Sequence, residues 1–137
     1  MSHARWIFAM AAALSVAAGC SDDPTGGPTG GGAQAGTVIL RLTTPYADDG
    51  AVLFEVSGPP IDSAVAVNGS LRLFTRRAGG STIVGVVVGV VTGGAVVTLH
   101  VPDVGAAAGY TARVLEVADR QDALRSSLTG YALTVAP

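Results

Sequence analysis

From residue 37 onward, apolar and polar side chains alternate along most of the chain. In TVILRLTT (37–44), Val38, Leu40 and Leu42 share one face, and Ile39, Arg41 and Thr43 share the other. AVLFEVS (51–57) sets Val52, Phe54 and Val56 against Leu53 and Glu55, and YTARVLEV (110–117) and GYALTVA (130–136) alternate in the same way. A period of two marks a half-buried β-strand, because successive side chains leave opposite faces of the pleat. PYADDG (45–50), GPPIDS (58–63) and RAGGS (77–81) lie between such runs and are dense in turn residues. AVAV (64–67), Asn68-Gly69 and SLRLFTR (70–76) predict a hairpin, since Asn-Gly supplies the positive φ angles of a type I′ turn. ADRQDALRSSLT (118–129) reads as a long loop with one helical turn.

One stretch departs from the alternation. STIVGVVVGVVTGG (81–94) is apolar on both faces, and no residue from Ala78 to Pro102 carries a fixed charge. Such a run suits a membrane-spanning helix, and Gly85-x-x-x-Gly89 suits close helix packing in lipid. A bitopic protein with a helix at 82–101 is therefore one alternative. Valine dominates the run, however, and favours strands. Gly93-Gly94 interrupts it, at a helix cost of roughly 1 kcal/mol per Gly. The stronger expectation is a strand (82–91), a TGG hairpin turn (92–94) and a second strand (95–101). Gly85 and Gly89 then mark a close neighbour, a bulge or a bend. A strand apolar on both faces is either covered twice or exposes an apolar face to a partner.

The count is eight strands in about a hundred residues, joined mostly by short turns. That predicts an all-β antiparallel sandwich, immunoglobulin-like or jelly-roll.

The first residues, MSHARWIFAMAAALSVAAGC, change where this sandwich is expected to work. Arg5 precedes an uncharged run from Trp6 to Gly19, too short for a spanning helix, which needs roughly 20 residues. A basic start, an apolar core and small residues before a cut site read as a secretory signal over 1–19. The segment Ala17-Ala18-Gly19-Cys20 resembles the lipobox of bacterial lipoproteins, with Ala17 where that pattern usually has Leu. The resemblance implies lipidation of Cys20 and a membrane anchor. Ser21, by the sorting rule of lipoproteins in double-membraned bacteria, implies the outer membrane, with the domain facing periplasm or surface. Residues 20–36 carry the lipidated Cys and a Gly/Pro/Thr tether without apolar period. Sixteen flexible residues span roughly 22 Å. Residues 37–137 form the domain. Its wording (GAVLFEVSGPPI, VVTLHVPDV, YTARVLEVADRQDALRSSLTGYALTV) is similar to short lipoprotein β-sandwich domains of GC-rich bacteria and, more loosely, to cohesin-type sandwiches. Neither likeness brings a catalytic motif.

Charge and chemistry narrow the function further. The domain has seven Arg, no Lys and eight acids, hence a net charge of −1, which gives no electrostatic case for nucleic acid. Cys20 is the only cysteine, so the domain has no disulfide and folds by core packing. His100, its only histidine, reads as a half-exposed strand residue beside Thr98 and Val96, and scattered serines make no triad with it. Asp48-Asp49 and Asp103 lack the D-x-D-x-D spacing of a Ca²⁺ loop and read as turn residues. Arg76-Arg77 reads as a solvated edge. No cofactor, metal or catalytic residue is expected. A carbohydrate-binding module is a second alternative. The domain's aromatics are Tyr46, Tyr110, Tyr131, Phe54 and Phe74, and only Tyr46 falls in a loop, the other four reading as core.

The sequence thus predicts a non-enzymatic binding or structural module in the cell envelope, held by its lipid anchor and meeting an envelope or extracellular protein. If strand direction alternates, the loops 45–50, 68–69, 92–94 and 118–129 lie at the end away from the tether. Tyr46, Asp48, Asp49, Arg120 and Asp122 are the candidate binding residues there.

Overall fold

A computed structural model describes residues 31–137. Residues 1–30, on which the expected signal segment 1–19, Cys20 and most of the expected tether fall, lie outside the described residues. Eight strands form in order: β1 (Gly36–Thr43), β2 (Asp49–Ser57), β3 (Ser63–Ala66), β4 (Arg72–Gly79), β5 (Thr82–Val91), β6 (Gly94–Val101), β7 (Thr111–Asp119) and β8 (Ala132–Ala136). They make two four-stranded antiparallel sheets, ordered β3-β6-β1-β8 and β4-β5-β2-β7. The all-β sandwich expected from the alternation is the observed architecture. Strand 1 pairs with 8, 2 with 7, 3 with 6 and 4 with 5. This nesting rolls one long hairpin over two sheets, closer to the jelly-roll than to the immunoglobulin-like alternative.

The inner faces carry the residues that the period assigns. Val38, Leu40 and Leu42 of β1 and Val97, Leu99 and Val101 of β6 pack across from Val52, Phe54 and Val56 of β2 and Ile83, Val87 and Val91 of β5, all buried. Burying each such side chain contributes on the order of 1.5–3 kcal/mol. No disulfide supplements this core among the described residues.

Several local expectations are overturned. The segment 82–101 is two strands, not a helix, and no described helix is long and apolar enough to cross a membrane. Those strands do not form a hairpin either. β5 and β6 lie in different sheets, and Gly93 and Gly94, at φ +87° and +82°, carry the chain from one sheet to the other. β3 and β4 are likewise split between sheets. Gly69 is not among the positive-φ residues, so no type I′ turn forms. Asn68 instead accepts from the Ser70 N–H at 3.0 Å, as in an Asx turn, and its carbonyl takes the Leu71 N–H. A pairing pattern that closes a core across two sheets overrides the local turn signal. The helical turn expected in 118–129 is absent; the one short helix among the described residues, a 3₁₀ segment, is Val104–Gly109, capped by Asp103.

Val96 is buried beside Val97, although alternation places it outward with His100. Leu40 pairs with Val97 and Arg41 with Ala95, so Val96 is the extra residue of a bulge. Phe74, expected in the core, points outward and is 59% exposed.

The connections segregate to two ends. At one, the Arg120 N–H donates to the Asp48 carbonyl, and Gly93 lies against the Leu42 carbonyl. At the other, the Asp62 N–H bonds the His100 carbonyl, Tyr110 bonds the Pro60 carbonyl, and the Val104 N–H bonds the Gln34 carbonyl. The chain therefore joins β1 at the end away from 44–48 and 120–131.

Candidate functional site

The polar end is built around a carboxylate that the alternation places outside. On β2, Val52, Phe54 and Val56 face inward, so the period would turn Asp49 to solvent. Asp49 pairs with Asp119 and Ala51 with Ala118, leaving Gly50 as an extra residue on β2. This bulge reverses the phase and buries Asp49 completely. Glycine is needed there because a Cβ at residue 50 would meet the Asp119 carbonyl oxygen at 2.8 Å.

A buried charge persists only if paired and hydrogen-bonded. Arg125 donates to Asp49 Oδ1 through Nε at 3.1 Å and Nη2 at 3.0 Å. The Tyr131 phenol lies 2.9 and 3.0 Å from the two carboxylate oxygens, and Thr44 Oγ1 donates to Oδ2. Arg125 also pairs with Asp48. Partial burial lowers the Arg125 pKa, but the hydrogen bonds to Asp48 and Asp49 outweigh it, so the guanidinium stays charged. Burial first, and the bond to Asp49 second, push the Tyr131 phenol above its ordinary value.

Tyr46 completes the cluster. The Arg125 guanidinium carbon lies 4.1 Å from its ring centroid, within cation–π range, and the Tyr131 ring is 6.1 Å away. Asp119 shapes the loop opposite: its Oδ1 accepts from the backbone N–H groups of Ala123 and Gln121, and these bonds, with Arg125 nearby, hold its carboxyl below the usual range.

The structure thus gathers Tyr46, Asp48 and Asp49 at one end, with Arg120 and Asp122 in the adjoining loop. Tyr46, Arg120 and Asp122 are exposed. Asp49 is not a contact residue; its lone pairs are taken by Arg125, Tyr131 and Thr44, and it fixes the loops rather than meeting a partner. Arg125, Asp119 and Tyr131 hold the cluster and were not among the candidate binding residues, because only the fold brings Arg125 and Tyr131, 76 and 82 positions away, against Asp49. One face of Tyr46 is covered by Arg125, which leaves less ring for stacking on a sugar. Among the described residues, no three of His, Cys, Asp and Glu are grouped to hold a metal ion.

A second surface adjoins this end. The outer face of the β4-β5-β2-β7 sheet carries Val84, Val86 and Val88 of β5 and Ala51 and Leu53 of β2. Phe74 flanks them on β4, and Leu124, 66% exposed, lies beside β7 at Ala118. Two shallow apolar depressions of about 250 and 310 Å³ meet along Leu53 and Val86. The two-sided apolar run thus turns one face to the core and the other outward.

No family model, curated protein or solved structure matches the chain.

Proposed function

We propose that the chain is a lipid-anchored module of the cell envelope whose sandwich binds protein and carries out no catalysis. The observation that carries the protein-binding part is the apolar outer face of β4-β5-β2-β7. Phe74, Val88, Val90 and Leu124 are all more than a third exposed. Contiguous apolar surface of this kind on a soluble domain marks an interaction site. The broad, shallow shape suits a protein surface better than a sugar. Support for the anchor is in the sequence: the apolar run before Ala17-Ala18-Gly19-Cys20 and the Gly/Pro-rich tether after it. Gln34 is tied to Asp103 and Val104 at one end, so such a tether would leave Tyr46, Asp48, Arg120 and Asp122 facing away from the bilayer.

The test has two arms in the full chain. Cys20→Ala should abolish incorporation of a labelled fatty acid and release the protein from the membrane fraction; retention of label would refute the anchor. Val86→Glu should leave the β-type circular dichroism spectrum intact and remove protein cross-links made from the sheet face; unchanged cross-links would refute the docking surface.

A further inference from the structure

We infer that the occupant of the β4-β5-β2-β7 outer face is a second copy of this chain, docked face to face about a two-fold axis parallel to the strands. The inference rests on reading that face as a protein-docking surface.

Charge placement selects both partner and axis. Arg72 and Arg76 point outward from the β4 edge and form no ion pair among the described residues. Glu116 points outward from β7, on the opposite flank, and is also unpaired among the described residues. The other outward charges, Glu55 on β2 and Arg113 on β7 beside Glu116, neutralise each other at 2.8 Å. The face is therefore an apolar stripe whose unpaired charge is positive on the β4 rim and negative on the β7 rim. A self-complementary interface brings the same patch together twice. A two-fold parallel to the strands exchanges left and right, laying β4 of one copy over β7 of the other. The rows Arg72–Val88–Ala51–Ala118, Phe74–Val86–Leu53–Glu116 and Arg76–Val84–Glu55–Arg113 then place Arg72 and Arg76 on either side of Glu116 of the partner subunit, with Arg76 opposite Arg113 of the partner subunit, whose charge Glu55 neutralises. Phe74 and the valines of β5 become covered. A two-fold perpendicular to the strands would lay β4 on β4, with Arg72 against Arg76, which like-charge repulsion disfavours.

The same axis has a consequence for the anchor. It leaves strand ends unexchanged, so both chains reach β1 from the same side, and both tethers descend to one bilayer. Four strands about 4.8 Å apart and roughly six residues long offer a face of about 400 Å² per copy. That is near half of the ~800 Å² per partner of a stable interface. The dimer is thus weak in free solution and is held by the effective concentration that shared anchoring supplies.

The experiment uses the full chain in membranes, with one cysteine added at the centre of the face, Val86→Cys, and a short bis-maleimide. Chains with Cys20 alone and with His100→Cys, exposed on the other sheet, are the controls. Val86→Cys should give a homodimer band that neither control gives. Adding Glu116→Arg should reduce that band roughly fivefold, as loss of a favourable charge contact would, with Glu116→Gln between the two. Adding Arg72→Glu and Arg76→Glu to Glu116→Arg should restore it. Restoration by charge exchange excludes misfolding as the cause of the loss. Equal bands from Val86→Cys and His100→Cys, or no restoration by the exchange, would overturn the inference. A Val86→Cys adduct with a different protein only would overturn the homodimer and leave the docking surface standing. No specific adduct of any kind would remove both.

Discussion

Arg125 grips the buried carboxylate of Asp49 with Nε and Nη2, across 76 residues of sequence. The contact fastens the 120–131 loop to the start of β2, while the same guanidinium lies over the ring of Tyr46. One side chain therefore ties together the exposed aromatic ring, the half-buried Asp48 and the buried Asp49 at this end.

Asp49→Ala should lower unfolding stability by about 2–4 kcal/mol, since the Tyr131 and Thr44 hydroxyls lose their buried acceptor. Asp48→Ala, whose carboxylate is partly open to solvent, should cost less than about 1 kcal/mol. Urea titrations of the two variants measure the difference. Equal midpoints would refute the assignment of Asp49 as the structural centre.

Gly85 and Gly89 should both resist alanine, for different reasons. At Gly85 a Cβ would meet the Phe54 ring at 2.6 Å, so Gly85→Ala should cost about 1–3 kcal/mol by overpacking. Phe54→Leu in the same chain should recover part of that loss. At Gly89, φ is +148° and a Cβ would meet the Ser70 carbonyl oxygen at 2.7 Å, so no second substitution on a side chain should rescue Gly89→Ala. Thermal melts of the single and double variants check both statements.

Stability should fall in alkali. The Tyr110 phenol is raised by burial, then by Asp62 and Asp103, and Tyr131 is raised by burial and Asp49. A folded pKa above the unfolded value near 10 means that the unfolded state releases the proton first. The stabilising contribution is complete below about pH 10 and is lost as pH rises towards the folded values. Tyr110→Phe with Tyr131→Phe should flatten this dependence in melts taken between pH 8 and 11. An unchanged slope would refute it.

Arg120→Ala should change stability by less than about 0.5 kcal/mol, as an exposed loop residue. Asp122 is the only described non-glycine residue at positive φ, +64°. Asp122→Gly should be neutral or stabilising, and Asp122→Val should cost about 1–3 kcal/mol by backbone strain. If a loop-directed partner exists, cross-linking from Tyr46 in membranes should weaken in Arg120→Ala at unchanged stability.

The strands themselves were legible in the order of residues. Alternation over 37–44, 51–57, 110–117 and 130–136 follows from the pleat, the valine-rich runs 82–91 and 95–101 showed themselves by β-propensity, and burying one face of each strand demanded two sheets. The same pattern placed 45–50 and 118–129 at one end, because short connections force alternating direction. Which strands pair is a tertiary matter. Asn68-Gly69 and Gly93-Gly94 carry local turn signals, but hydrogen-bond ladders between distant strands close the core and send each chain crossing to the opposite sheet. Bulges at Gly50 and Val96 shift the phase by one residue, which reverses which side chain is buried and hides Asp49 with Arg125 against it. No periodicity reports such a shift, since the inserted residue is set by the partner strand. The outward apolar face of β5 was half-legible: the residues showed two apolar faces, and only the pairing of β4 and β2 at its sides showed that one of them meets solvent.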